Sequence, residues 1–419
     1  SRSEWKSIED LNPFLTEFDL RYAGQDYFTA AAVLSEIDFN YLMLWGYFLM
    51  VAKLYEKLNA KLNDPSQKIH SANLLGVAYY RLGKFQKAID NFEIGLEIAD
   101  EIGDHQSKGA LFVNLGNCYV DSGDIDKSIE YYKQSLAVYE DSGLISDTAT
   151  VLNNLGNRYT DMGKFQRAIK YYKKAIAIAN DYNDKASNCL ALNNIGVCYG
   201  DLGQDTLAFE YTEQALNLAR QIGDRLIESA ALCFKGIAYN NLGEFNKAEQ
   251  LLTSAIRIAD DINWVTLQNE ARGELALNHL YTGNLIKALV IIKDAYQYDL
   301  PTCNHRIRML FGVIKLREGD LSTAQQAFTE AIKSSDLLLA YSAKNYKALD
   351  IKGLALLGLV LCGNQDYLQS AIECFKAARN ITKEDGIVRE VLNIIDEFPQ
   401  THQETNKMLQ KVRIAAAGS

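Results

Sequence analysis

The chain has 419 residues, 48% of them hydrophobic, with only four prolines and a formal net charge of −10. An acidic balance of 53 Asp and Glu against 43 Lys and Arg argues against nucleic acid, whose phosphates demand clustered cations, and favours neutral or basic polypeptide partners. The most apolar run, Leu42 to Ala52, spans 11 residues where a bilayer crossing needs roughly 20, so no membrane role is expected.

In chain order, no signal peptide opens the sequence. Ser1 to Ser3 and the closing Ala415-Ala416-Ala417-Gly418-Ser419 read as appended residues, and with no initiating Met the chain is expected to be a piece of a larger protein. Residues 1–68 are expected to form a helical cap or degenerate repeat, in which Gly24, Tyr27 and Ala31 sketch an irregular hairpin. The apolar run from Leu42 to Ala52, which contains Trp45, reads as a core helix, and the longer stretch to Leu58 as a cap over the first repeat or an interface with a preceding domain. Asp64-Pro65 then breaks the chain.

From residue 69 to 300 the sequence repeats every 40 residues. The stretch NLGNCYVDSGDIDKSIEYY at Asn114 to Tyr132 returns as NLGNRYTDMGKFQRAIKYY at Asn154 to Tyr172. One glycine column runs Gly76, Gly116, Gly156, Gly196, Gly236, with a tyrosine three residues after each; a second runs Gly83, Gly123, Gly163, Gly203, Gly243, Gly283. Apolar residues at helical spacing on both sides of the second column predict two helices per unit, packed closely at Gly76 and Ala88 with Tyr79 and Phe92 filling the space. The pairs Gly103-Asp104, Asn183-Asp184 and Gly223-Asp224 suit the end of one helix and the cap of the next. Spacing loosens over 301–385, where Leu300-Pro301 marks a break and Gly363 and Ala371 stand eight apart rather than five. Residues 386–419 are expected to give a capping helix over Gly386 to Phe398 and a polar tail after Pro399.

Leu75, Gly76, Tyr79, Ala88, Phe92 and Gly95, recurring in register, resemble the tetratricopeptide repeat. The closing proline of that pattern is missing, with Asp100 in its place, and the six residues beyond the usual 34 add roughly 9 Å of helix. Such long repeats resemble those of kinesin light chains and bacterial peptide-responsive regulators. The resemblance implies an all-α fold, a right-handed α-solenoid superhelix of about eight hairpins with helical caps. Asp26 to Phe48 and Ala371 to Asp396 further resemble the segments flanking the C-terminal sensor array of bacterial STAND signalling ATPases. That likeness implies a ligand-sensing module joined to a nucleotide-binding domain outside this chain, since no GxxxxGK[ST] loop occurs here. A structural scaffold and a stand-alone peptide-responsive regulator are the alternatives.

In this family the first helix of each unit lines the concave surface. Asn114, Asn154 and Asn194 then form one column, Asn117 and Asn157 a second, and Asn153 and Asn193 a third. Side-chain amides both donate and accept, so such a ladder suits the backbone of an extended peptide; equally, the asparagines can bond to each other across repeat seams. Asp121, Asp161 and Asp201 make an acidic column that suits a ligand carrying Lys or Arg, or are solvated helix ends. The five histidines, His70, His105, His279, His305 and His402, are scattered and form no catalytic motif, so no enzyme, cofactor or metal is expected. The seven cysteines include no CxxC pair and read as small buried fillers of a reducing, cytoplasmic compartment.

Overall fold

The computed structural model describes residues 5, 7–300, 303–399 and 403–418. Ser1 to Ser3, Pro301, His402 and Ser419, which figure in the expectations above, lie outside the described residues. All regular structure among the described residues is helical. The chain divides into two compact units, Ser1–Val151 and Leu152–Ser419.

Unit 1 begins with α1 (Asn12–Ala23), α2 (Tyr27–Ser35) and α3 (Phe48–Asn59), followed by the hairpins α4 (Pro65–Arg81) with α5 (Phe85–Ile102) and α6 (His105–Asp121) with α7 (Ile125–Asp141). The unit boundary falls within α8 (Ile145–Asp161), which pairs with α9 (Phe165–Asp181). Unit 2 continues with α10 (Lys185–Asp201) and α11 (Asp205–Ile222), α12 (Arg225–Asn241) and α13 (Phe245–Asp261), α14 (Val265–Tyr281) and α15 (Leu285–Tyr296). Then come α16 (Asn304–Arg317) and α17 (Leu321–Tyr341), α18 (Tyr346–Leu361) and α19 (Leu368–Ile381), and finally α20 (Asp385–Asp396) and α21 (Gln403–Ala417). From α4 to α19 these helices form eight hairpins.

The glycine columns have separate jobs. A methyl group on Gly76 would sit 2.3 Å from the Phe92 ring, and on Gly156 2.3 Å from the Tyr172 ring, so the first column seats the large residue of the second helix directly on the backbone of the first. The second column adopts left-handed backbone, with φ of 71° at Gly83 and 72° at Gly283, and closes each first helix. The asparagine and aspartate punctuation behaves as expected. Asn183 has φ 56°, and the carboxylates of Asp104, Asp184 and Asp224 accept from the backbone N–H of Ser107, Ser187 and Ile227.

Three expectations change. The run from Leu42 to Ala52 is not one helix: a π-turn covers Asp38–Met43, and Gly46, with a φ of 83°, reverses the chain before α3 starts. Asp38, the first residue of that turn, is buried and accepts from the Tyr55 hydroxyl, with His70 Nε2 at 2.7 Å. The polar tail after Pro399 instead contains α21, which packs on α19 and α20 and buries Leu409, Val412, Ala415 and Ala416. Finally, α20 does not cover the end of the stack; it lies against α10 and α12, on the inner side of unit 2. The extra length before Ala371 does fall in a turn, as a 3-10 segment over Gln365–Tyr367.

Candidate functional site

Unit 2 closes on itself. The Phe165 ring at the start of α9 meets the Tyr346 ring at the start of α18 with centroids 6.3 Å apart, and Thr382 lies against Gly163. Within this curve α20 is held at both ends. At its start the chain runs so close to α10 that a methyl on Gly386 would lie 2.0 Å from the Gly200 carbonyl oxygen. The N-terminus of one helix thus faces the C-terminal carbonyls of another, a favourable opposition of helix dipoles. One turn on, Arg389 donates to both Asp205 oxygens at 2.7 and 2.8 Å, and at the far end Arg317 pairs with Glu397. Ile387, Val391, Ile394 and Ile395 are buried, each burial contributing about 1.5–3 kcal/mol.

Beneath α20 is a cavity of about 350 Å³ walled by α10, α12, α14, α16 and α18. Its charged lining includes Asp201, Glu270, Glu274, Arg306, Lys347 and Glu390. Arg306 bridges Glu274 and Glu390, the latter at 2.6 Å. Burial raises the Asp201 carboxyl to about 6 against the pull of Lys347, and raises Glu270 as well. Glu390 is also desolvated, but Arg306 and Lys347 outweigh that and hold it below the ordinary range. Burial lowers His305 to about 4, so its imidazole is neutral. Tyr346, then the Asp201, Glu390 and Glu270 carboxylates, keep the Lys347 ammonium above its ordinary value, and the residue stays exposed to solvent, so desolvation opposes them little. A larger open depression in unit 1, about 880 Å³, offers one cation, Arg21, already paired with Glu17 and Asp26.

The ten residues singled out from sequence are divided between the units, with Asn114, Asn117 and Asp121 in unit 1 and the other seven in unit 2. Most of the asparagines meet protein. Asn114 donates to Asn73 at 2.8 Å and Asn194 to Asn157 at 3.1 Å, both across a repeat seam, while Asn153 is buried and donates to the Ser187 carbonyl. Asn117 and Asn157 accept from Tyr132 and Tyr172, at 2.6 and 2.7 Å, within their own hairpins. Asn193 is buried with its Oδ1 unpartnered, and Asn154 is half-buried.

The aspartates differ more sharply. Asp121 is exposed and accepts from Tyr80; Asp161 pairs with Arg158 at 3.0 Å, and desolvation raises its carboxyl although 45% of the side chain remains exposed. Only Asp201 lines the cavity. Sequence reading missed Glu270, Glu274, Arg306, Lys347 and Glu390. A signal for one existed: Glu274 stands 80 residues after Asn194, Asn154 and Asn114 are counted at 40-residue steps, in the column continued by Phe234. The others are joined only by the curvature of unit 2 and the return of α20.

Cys118, Cys189, Cys198 and Cys233 are buried, while Cys303, Cys362 and Cys374 are partly so; all seven are free thiols. No described helix is long and apolar enough to cross a membrane.

Residues 68–141 and 187–261 match one tetratricopeptide repeat family, and 148–181 a second. These residues form tetratricopeptide repeats, stacked helical hairpins of a kind that serves as a protein-interaction scaffold. No functionally curated protein matches it. Among solved structures, aspartyl phosphate phosphatase F from Bacillus subtilis is 17% identical with a TM-score of 0.55, covering 71% of this chain and 76% of its own. A Rap protein complexed with competence and sporulation factor is 15% identical with a TM-score of 0.53, covering 97% of this chain and 100% of its own. A STAND protein with a tetratricopeptide repeat sensor from Pyrococcus horikoshii is 20% identical with a TM-score of 0.51 over 65% of this chain; the match spans 43% of that protein. At these identities the likeness is one of fold.

Proposed function

We propose that this chain is the ligand-sensing part of a STAND-type signalling protein and takes an extended peptide or protein segment along the inner face of unit 2. The observation that carries the reading is α20. The inner face already holds a polypeptide segment of the chain itself, through backbone contact at Gly386, the Arg389–Asp205 pair and four buried aliphatic side chains. A ligand that binds better when α20 is displaced or reseated shifts the population between two states, which is what a sensor must do. The fold likeness to a Rap protein solved with a bound signalling factor and to a STAND sensor supports the same assignment. Asn154 and Asn194 remain the ladder positions proposed to touch ligand backbone.

A second reading, a scaffold working through unit 1, draws on Phe28, Phe39 and Leu44, which are 63%, 66% and 77% exposed. Peptides selected from a random display library on the immobilised chain separate the two. The groove reading expects selected peptides to lose at least tenfold in affinity on the Asn154→Ala/Asn194→Ala double variant, measured by titration calorimetry. It also expects those that compete with α20 to bind Gly386→Ala more tightly, because its seat is already weakened. Binders indifferent to both variants but lost on Leu44→Ser would overturn it in favour of the scaffold.

A further inference from the structure

The cavity under α20 is chemically lopsided. Asp205 is neutralised by Arg389, and Asp350, which also lines the cavity, by Arg379. The central group remains: four acidic side chains, Asp201, Glu270, Glu274 and Glu390, face only two cationic ones, Arg306 and Lys347, a formal excess of two acids over bases. Arg306 is committed to Glu274 and Glu390. Lys347 forms no ion pair within 4.0 Å among the described residues, so Asp201 and Glu270 share one ammonium that touches neither.

A second observation is independent of charge. His305, 8% exposed, and Tyr346, 2% exposed, both line the cavity, and neither His305 Nδ1 nor the Tyr346 hydroxyl has a hydrogen-bond partner among the described residues. The buried Oδ2 of Asp201 is in the same position. Buried polar atoms in folded proteins are nearly always partnered, and five of them, counting also Asn269 Oδ1 and Asp350 Oδ1, on residues that line one cavity mark a place for a polar guest. The volume of about 350 Å³ is at the small end for ligand pockets and suits one long side chain or a small amine rather than a whole peptide segment.

Resting on the assignment of this inner face as the ligand surface, we infer that the cavity takes the cationic head of the ligand, a primary ammonium or guanidinium group, between Asp201, Glu270 and Glu390. The carboxylates accept from the guest's N–H groups, and Tyr346 and His305 supply neutral partners beside them. Lys347, exposed at the cavity and on a flexible stem, is the neighbouring cation whose place beside the carboxylates the guest takes. Because Glu390 belongs to α20, occupation of the cavity bears directly on how that helix is seated.

Saturation-transfer NMR with small probes tests the inference on the full chain. The charged probes are Nα-acetyl-lysine amide, Nα-acetyl-arginine amide and cadaverine; the neutral comparators are Nα-acetyl-norleucine amide and Nα-acetyl-citrulline amide. Cationic probes are expected to bind at least tenfold more tightly than their comparators, and Glu270→Gln to weaken them at least tenfold. Lys347→Met, by removing the competing ammonium, should tighten them several-fold, a gain that damage to the fold would not produce. Binding of the amides without cadaverine assigns the cation to a peptide side chain, and binding of all three to any organic amine. Equal binding of charged and neutral probes, or no effect of either variant, overturns the inference. If neutral library peptides still depend on Asn154 and Asn194, only the charge assignment falls; if no peptide binds the inner face, the proposed function falls with it.

Discussion

Replacing Gly386 with Ala attacks the seat of α20 at one atom. The added methyl would stand 2.0 Å from Gly200 O, 2.6 Å from Asp201 O and 2.8 Å from Asp201 C, all backbone atoms that cannot rotate away. Restoring a carbon–oxygen contact of about 3.3 Å requires the start of α20 to retreat by roughly 1.3 Å. That movement carries Arg389 away from Asp205, whose bonds of 2.7 and 2.8 Å do not survive such a shift. Overpacking of this kind costs about 1–3 kcal/mol, and the partly exposed ion pair adds about 0.5–1. Alanine's better helix propensity returns less than about 1 kcal/mol, because the position lies in the first turn. A net local loss of about 1–3 kcal/mol should accelerate hydrogen exchange over residues 385–396 by roughly 5- to 150-fold. Gly223→Ala is the control: its φ of 72° makes it strained, but with nothing within 4 Å it should leave exchange in α20 unchanged. If Gly386→Ala matches the wild type in exchange across 385–396, the close seating of α20 on α10 is wrong.

Other outcomes follow from the same contacts. Gly156→Ala places a methyl 2.3 Å from the Tyr172 ring and should destabilise unit 2 by about 1–3 kcal/mol in urea unfolding, with Tyr172→Leu recovering part of the loss in the double variant. Asp104→Ala removes the side-chain acceptor for Ser107 N–H at 3.0 Å and should cost about 1 kcal/mol, whereas Asp104→Ser should cost far less. Asp201 gives a pH dependence. Its folded value of about 6 lies above the ordinary 3.8, so the folded state holds the proton more tightly. The resulting stabilisation is present below about pH 4 and lost as pH rises through about 6. Lys347 from α18 opposes the shift and Glu390 from α20 adds to it, while Glu270 on α14 is raised in the same direction. The stability of wild type relative to Asp201→Asn should therefore fall between pH 4 and 7; a flat difference contradicts the burial of this carboxylate.

Much of the repeat architecture was legible because its determinants are local. Gly83 and Asp104 stop and start helices through their own backbone and side-chain bonds, and Gly76 with Phe92 lies within one hairpin. The asparagine columns were legible as positions but not as partners. Tyr172 donates to Asn157 from 15 residues away, and Asn194 reaches the same oxygen from the next repeat, so amides spaced for a ligand are occupied by protein. At Gly46, one left-handed residue turned an apolar run that reads as a helix into a break.

The sequence by itself determined the hairpin, its 40-residue period, its caps and the close contact of its two helices, since each rests on residues within one or two repeats. Tertiary structure alone decided that the inner face of unit 2 is occupied by α20 and that Asp201, Glu270, Arg306, Lys347 and Glu390 surround one cavity. Those residues come from five helices, and what joins them is small rotations accumulated from repeat to repeat until Phe165 meets Tyr346. No local pattern encodes where a curve closes.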